Sequence, residues 1–301
     1  MSAKEVKSAA SVGRAQSQRV ESFKKGWYKF SRNPLSILGL AVVVAVILAA
    51  IFAYQVVPYP EDAGLTVKLN EAFEAPSAAH WAGTDEYGRD IFSRMIIGTR
   101  SALVIGILVL AISVPTGVFL GLIAGYYKGK AVSRFVLWLT ELFMAIPPLI
   151  LAMVVCTMFT NNYFFAAIGI AVAWWPWYAR IAYNMVTSLS NELYIVYTQL
   201  SGLRVIRIIL SEMLPNITSS IVTKMSLDMG SIILTASSMS FVGLGVQPPH
   251  PSLGSMVSEG IAYLPEFWWL TAMPAIVVVL IVLGFNLLGD GLTDVLSVEE
   301  K

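Results

Sequence analysis

The chain has 301 residues, 56% of them hydrophobic and only 13% charged, with a net charge of +1. Soluble domains carry about 25% charged residues, so this composition excludes a soluble domain and describes a polytopic membrane protein. The small net charge implies no bulk attraction for nucleic acid, and the single cysteine, Cys156, excludes an intramolecular disulfide.

Residues 1–33 form a basic tail in which eight Lys and Arg face only Glu5 and Glu21. No small-residue cleavage site follows the first apolar run, so no signal peptide is expected. Phe23, Trp27, Tyr28 and Phe30 would meet the membrane surface, with neighbouring lysines on lipid headgroups; a plain topogenic tail is the simpler reading. Residues 34–58 hold the first expected transmembrane helix, since 35–57 contain no charge and are long enough to cross a core of about 30 Å. A polar, acid-rich loop follows at 59–97. The second uncharged run, 101–127, carries Gly117, Gly121 and Gly125 one turn apart, which lets another helix approach closely.

Lys128, Lys130 and Arg134 mark a short basic loop. A third span is expected at 135–159, broken by Pro147-Pro148, with Glu141 near its basic end. The fourth, at 163–181, carries Trp174, Trp175, Trp177 and Tyr178 around Pro176. Aromatics near one end read as an interfacial belt; the alternative is a cavity wall, which makes Trp174 a candidate for a translocation path. The fifth span runs from about 217 to 241 and contains Asp228, an intramembrane acid and so a second path candidate. Pairing with Lys224 at i−4 is the more economical role for it. Residues 242–266 are rich in Gly and Pro and read as a re-entrant or surface loop, covered by protein or water if it lies at membrane depth. The last span falls at 267–289, before a short tail at 291–301.

Between the fourth and fifth spans lies the polar stretch 191–216. Leu193, Val196, Tyr197 and Leu200 stand at i, i+3, i+4 and i+7, which is helical spacing. Gly202 stops that helix, because glycine adopts the left-handed closing conformation at little cost. A second helical pattern follows, with Arg204, Arg207 and Ser211 on its polar face and Pro215 at its expected end. These residues fit equally a docking element for a soluble partner and a helix pair lying on lipid. Lys and Arg concentrate in the tail, around 128–134 and in 191–216, which places those segments and both termini in the cytoplasm.

No G-x-x-x-x-G-K-[S/T] loop, H-E-x-x-H or G-x-S-x-G occurs, so the chain has no ATP-binding P-loop, zinc-protease signature or serine-hydrolase elbow of its own. His80 and His250 are far apart, and no metal site is expected. A docking element without energy-converting chemistry implies that another subunit supplies the energy. The competing classes are an intramembrane enzyme using Glu141 and Asp228 as a carboxylate pair, and a membrane scaffold.

Four stretches carry a family resemblance: NPLSILGL (Asn33 to Leu40), HWAGTDEYGRDIFSRMIIGTRSAL (His80 to Leu103), FVGLGVQPPHPSLGSMVSEG (Phe241 to Gly260) and NLLGDGL (Asn286 to Leu292). In this order they resemble the C-type permease subunit of binding-protein-dependent ABC importers of the dipeptide, oligopeptide and nickel group. The resemblance implies an all-α membrane protein of six transmembrane helices in the type I ABC importer fold, with residues 98–290 as the transmembrane core and 191–216 as its coupling loop. Glu192, Tyr194, Tyr197, Thr198, Gly202, Arg204, Arg207, Leu214 and Pro215 are then the residues expected at the ATPase contact. It also implies a homologous second permease forming a heterodimer, two cytoplasmic ATPase subunits that use ATP and Mg, and an extracytoplasmic binding protein. The chain itself would bind no cofactor. The location would be a prokaryotic cytoplasmic membrane, and the cargo a peptide or, alternatively, nickel or another small solute. The chain departs from the pattern where Val196, Tyr197 and Thr198 replace Glu-Ala-Ala, where Glu212 replaces an isoleucine, and at Ala236, where the family often carries glutamate.

Overall fold

The computed structural model describes residues 26–159, 162–247 and 249–296; most of the basic tail and the end of the short C-terminal tail lie outside them. Apart from one β-bridge between Thr84 and Asp90, the described residues form helices and loops.

After a helical stretch at 26–32, the first membrane-spanning helix, α1 (Pro34–Ile51), starts where the Asn33 side chain accepts from the Leu35 amide at 3.0 Å. Pro34 sits at a position whose amide would have no partner in any case. One further turn, Ala53–Val56, completes the expected first span.

The second helix, α2, runs from Ile91 to Tyr126, 36 residues or about 54 Å. It begins before the apolar run at 101 and takes residues 91–97 from the expected loop. Arg94 breaks the hydropathy pattern without breaking the helix, because its side chain is buried between acidic partners. Asp90 supplies the start by accepting from the Ser93 amide at 2.7 Å.

The third span is two helices, α3 (Ala131–Met144) and α4 (Pro148–Thr157), bent by 90°. Pro147 precedes a proline and is forced to an extended ψ of 128°, which interrupts the helix. Among the described residues, five helical stretches are thus long and apolar enough to span a membrane, and the bent pair makes a sixth crossing if counted as one.

Helix α5 (Tyr163–Leu189) outruns its expected end at 181. Its packing on α2 confirms the glycine stripe. A Cβ on Gly117 would lie 2.3 Å from the Trp175 carbonyl, one on Gly121 2.4 Å from that of Ala179, and one on Gly125 2.7 Å from Val186 Cβ. The two backbones touch, a contact only glycine permits. The extra length of α5 also corrects the aromatic belt. Trp174 to Tyr178 lie mid-helix, and Trp174, Trp175 and Tyr178 are buried while Trp177 is partly exposed.

After α6 (Leu193–Leu200) come a single turn, Val205–Arg207, and a π-helical segment, Ile208–Met213, which leads directly into α7 (Leu214–Phe241). Pro215 therefore opens a long helix instead of ending a short one. The wider π turn accommodates a ring that lacks an amide and would crowd the carbonyl four residues back. The Gly- and Pro-rich segment that follows contains a short helix, α8 (Leu253–Ile261), started by Ser252 accepting from Ser255 N. It lies so close to α7 that a Cβ on Gly254 would fall 1.9 Å from the Ser237 carbonyl; this cover lets the loop exist beside the bundle. The last helix, α9 (Trp269–Leu296), packs on α1, α7 and α8.

Two large apolar cores result among the described residues, beside a small cluster of Ala53, Val57 and Ile97. One joins α2, α4, α5 and α7 and includes Trp174, Tyr178 and Ile195. The other joins α1, α2, α7, α8 and α9 around Met229, Met256, Ile281 and Phe285.

Candidate functional site

Helix α6 is held to the bundle by Ile195, which is fully buried in the first core. The stripe that the spacing places on one face points outward instead. Leu193, Tyr197 and Leu200 are 71%, 65% and 78% exposed, and Val196 is also exposed. Gly202 closes this helix with a φ of +74°, as its type demands. A Cβ there would meet nothing within 4 Å, so the constraint is backbone conformation and not space. Arg204 and Arg207 start the next turn, both exposed. Glu192 precedes α6 in extended conformation. Thr198 bonds back to the Tyr194 carbonyl at 2.7 Å and is only half-exposed. The two ends of the stretch are tied where Asn216 Nδ2 donates to the Tyr194 hydroxyl at 3.2 Å. Burial pushes the Tyr194 phenol up, and Glu192 and Glu212 push the same way. Leu214 and Pro215 form the first turn of α7.

Within the spans, Asp228 on α7 is buried and ion-paired with Lys224 one turn earlier. Tyr178 of α5 lies in electrostatic contact with the same carboxylate. Trp174 packs one turn from Tyr178 in the first core. Glu141 of α3 reaches Arg180 of α5 at 3.6 Å. Glu141 and Asp228 are thus each engaged by their own cation.

Residues 117–298 match the family described as "Binding-protein-dependent transport system inner membrane component", and residues 22–76 match the "N-terminal TM domain of oligopeptide transport permease C". The chain belongs to this family of permeases. Among its relatives is the dipeptide transport system permease protein DppC of Alkalihalophilus pseudofirmus, 33% identical over 94% of this chain and 91% of that one. The glutathione transport system permease protein GsiD of Pectobacterium atrosepticum is 34% identical over 93% and 92%. The oligopeptide transport system permease protein OppC of Bacillus subtilis is 32% identical over 96% and 94%. In fold, the permease is similar to a chain of the inward-facing MetNI methionine ABC transporter, with a TM-score of 0.51 at 18% identity, covering 66% of this chain and 93% of that one. Membership makes this a multi-pass membrane subunit of a type I importer, working with ATPase and substrate-binding partners.

The departures from the family pattern now have positions in the permease. Val196 and Tyr197 put apolar and aromatic surface where the pattern carries glutamate and alanine. Glu212 lies in the π-helical segment, half-buried. Ala236 is buried in the first core of α7.

At the opposite end of the permease, beyond the N-terminus of α2, lies a polar cluster that charge counting alone did not single out. His80 Nδ1 is 2.9 Å from Asp90 Oδ1, both buried. The Asp90 amide donates to Asp62 at 2.9 Å, and Lys68 pairs with Asp62 at 2.9 Å. Arg89 Nε donates to Asp85 at 2.7 Å, Tyr263 donates to Glu86, and Trp269 Nε1 lies 3.5 Å from the Thr84 carbonyl. Burial pushes the Glu259 carboxyl up, against the pull of Arg94 and Arg89. Tyr263 and Trp269 join the 57–90 loop to the segment after α8 and to α9, and the Arg94–Asp85 pair at 3.6 Å joins it to α2. The readable signal was the Asp85/Arg89 spacing of four within the signature stretch His80 to Leu103.

Proposed function

We propose that the permease is one of two homologous membrane subunits of an ATP-driven importer of short peptides, and that 191–216 is the loop through which separate ATPases move it. The observation that carries this is the outward stripe of Leu193, Tyr197 and Leu200 beside Arg204 and Arg207, on a helix whose one buried residue is Ile195. A contiguous apolar patch rimmed by charge marks a protein contact. Relatives over nearly the whole chain are permeases of dipeptide, glutathione and oligopeptide systems, which supports the peptide cargo. The Lys and Arg distribution supports a cytoplasmic position for this loop and both termini, with the 57–90 loop outside. ATP binding by the partners would displace α6, and the continuous Val205–Phe241 path would carry that displacement into the membrane, a rigid-body switch suited to alternating access.

The test is Gly202→Val in vesicles reconstituted with partner permease, ATPases and binding protein. A β-branched residue at φ +74° costs roughly 1–2 kcal/mol or more, too little to prevent assembly but enough to alter the docking angle. Assembly should persist, peptide uptake should fall at least about tenfold, and ATP hydrolysis should lose its stimulation by loaded binding protein. Wild-type uptake in the variant would remove the coupling role from this loop.

A further inference from the structure

Between the 57–90 loop, the start of α2 and α8 lies a cleft of about 410 Å³, within the range of about 300–1,000 Å³ typical of small-molecule sites. It holds two cations and two anions, Arg89 and Arg94 with Glu86 and Glu259, beside Tyr87 and His250. Arg94 is 4% exposed, yet its Nε and Nη1 have no hydrogen-bond partner. Its ion pairs, 3.6 Å to Asp85 and 3.7 Å to Glu259, are longer than hydrogen bonds. Leaving buried charged donors unmade is costly, and the fork of a guanidinium matches a carboxylate with two parallel bonds. Arg89 is already fixed, through Asp85 at 2.7 Å and by lying 4.6 Å over the Tyr87 ring. Arg94 is therefore the cation left with capacity for a ligand, and Glu86 and Glu259 are the anions sharing its cleft.

We propose that this cleft receives a short peptide by its free ends, the C-terminal carboxylate on Arg94 and the N-terminal ammonium toward Glu259 and Glu86. The proposal rests on the peptide-import reading. It makes the cleft an entry site on the permease itself, reading the termini that all short peptides share and leaving side chains unread. A dipeptide spans about 7 Å, which a cleft of this volume accommodates.

The test uses the assembled permease and ATPase complex without binding protein. A dipeptide of p-benzoylphenylalanine and alanine is crosslinked by light, and the adducts are mapped by mass spectrometry. Adducts are expected on 65–67, 86–94 and 249–259. Dialanine should suppress them at about tenfold lower concentration than dialanine amide. Arg94→Lys, which keeps a charge for Asp85 and Glu259, should lower adduct yield about tenfold while leaving complex assembly unchanged. Equal competition by the amide, or adducts confined to other segments, would overturn the proposal. So would an Arg94→Lys effect seen only on capture of the binding protein, since the cleft would then take that protein's carboxylate. The same complex in vesicles, with binding protein added, must accumulate dipeptides. Accumulation with indiscriminate crosslinking sinks the cleft alone, and no accumulation sinks the peptide reading with it.

Discussion

The two ends of the permease are built on opposite principles. The 57–90 loop has a buried polar interior, in which His80 pairs with Asp90, Asp90 with Asp62 and Arg89 with Asp85, and it is fastened to α2 through Arg94 and Ser93 and to α9 through Trp269. In the 191–216 stretch, α6 has few such bonds, shows its apolar stripe to the outside and is buried only at Ile195, while Ile208, Ile209 and Met213 root the segment that follows in the first core. A buried polar network fixes one conformation because breaking any member leaves another unsatisfied. A small helix on an apolar anchor, closed by a positive-φ glycine, can be moved as a unit. The rigid end suits a fixed surface for delivery, and the lightly tethered end suits one that a partner displaces.

Substitutions can break this contrast. The largest effect is expected for Ile195→Ala, which empties the anchor at a cost of about 2–5 kcal/mol. Limited proteolysis of the purified permease should show faster cleavage within 191–207 and an unchanged 57–90 loop. Asp90→Ala removes the cap of α2 and the partner of His80, worth about 2–4 kcal/mol, and should reverse that pattern by exposing 57–90 to protease while 191–207 stays as it was. If either variant loosens both ends equally, the ends are one cooperative unit and the contrast fails. A smaller effect, about 1 kcal/mol, is expected for Gly202→Ala, because the left-handed backbone is strained for alanine although the space is open. Uptake in reconstituted vesicles should fall severalfold, less than for valine at the same site.

Much of this is legible in the amino-acid sequence. Uncharged runs locate the helices, the Gly117/Gly121/Gly125 spacing marks the α2–α5 contact, and Gly202 marks its own positive φ. Other features depend on tertiary partners that hydropathy does not carry. Arg94 reads as polar loop, yet burial beside Asp85 and Glu259 places it in a helix. Pro215 reads as a terminator, but a π-helical segment before it turns it into the first turn of α7. The aromatic cluster at Trp174 reads as a belt until the length of α5 places it mid-helix. The stripe at Leu193 to Leu200 has helical spacing but no internal sign of facing outward. Only the burial of Ile195, between Leu193 and Tyr197, decides which side of α6 meets the bundle.

The central claim is that the outward stripe of α6 is covered by an ATPase while the opposite end is not. It is tested most directly with single cysteines at Leu200 and Leu65, which are 78% and 71% exposed in this chain, in a Cys156→Ala background. Each is labelled with a membrane-impermeant maleimide in open membrane fragments, before and after the ATPases are stripped. The account predicts that Leu200→Cys is slow to label until the ATPases are removed and fast afterwards, while Leu65→Cys labels at one rate throughout. Equal labelling of Leu200→Cys in both preparations would contradict it.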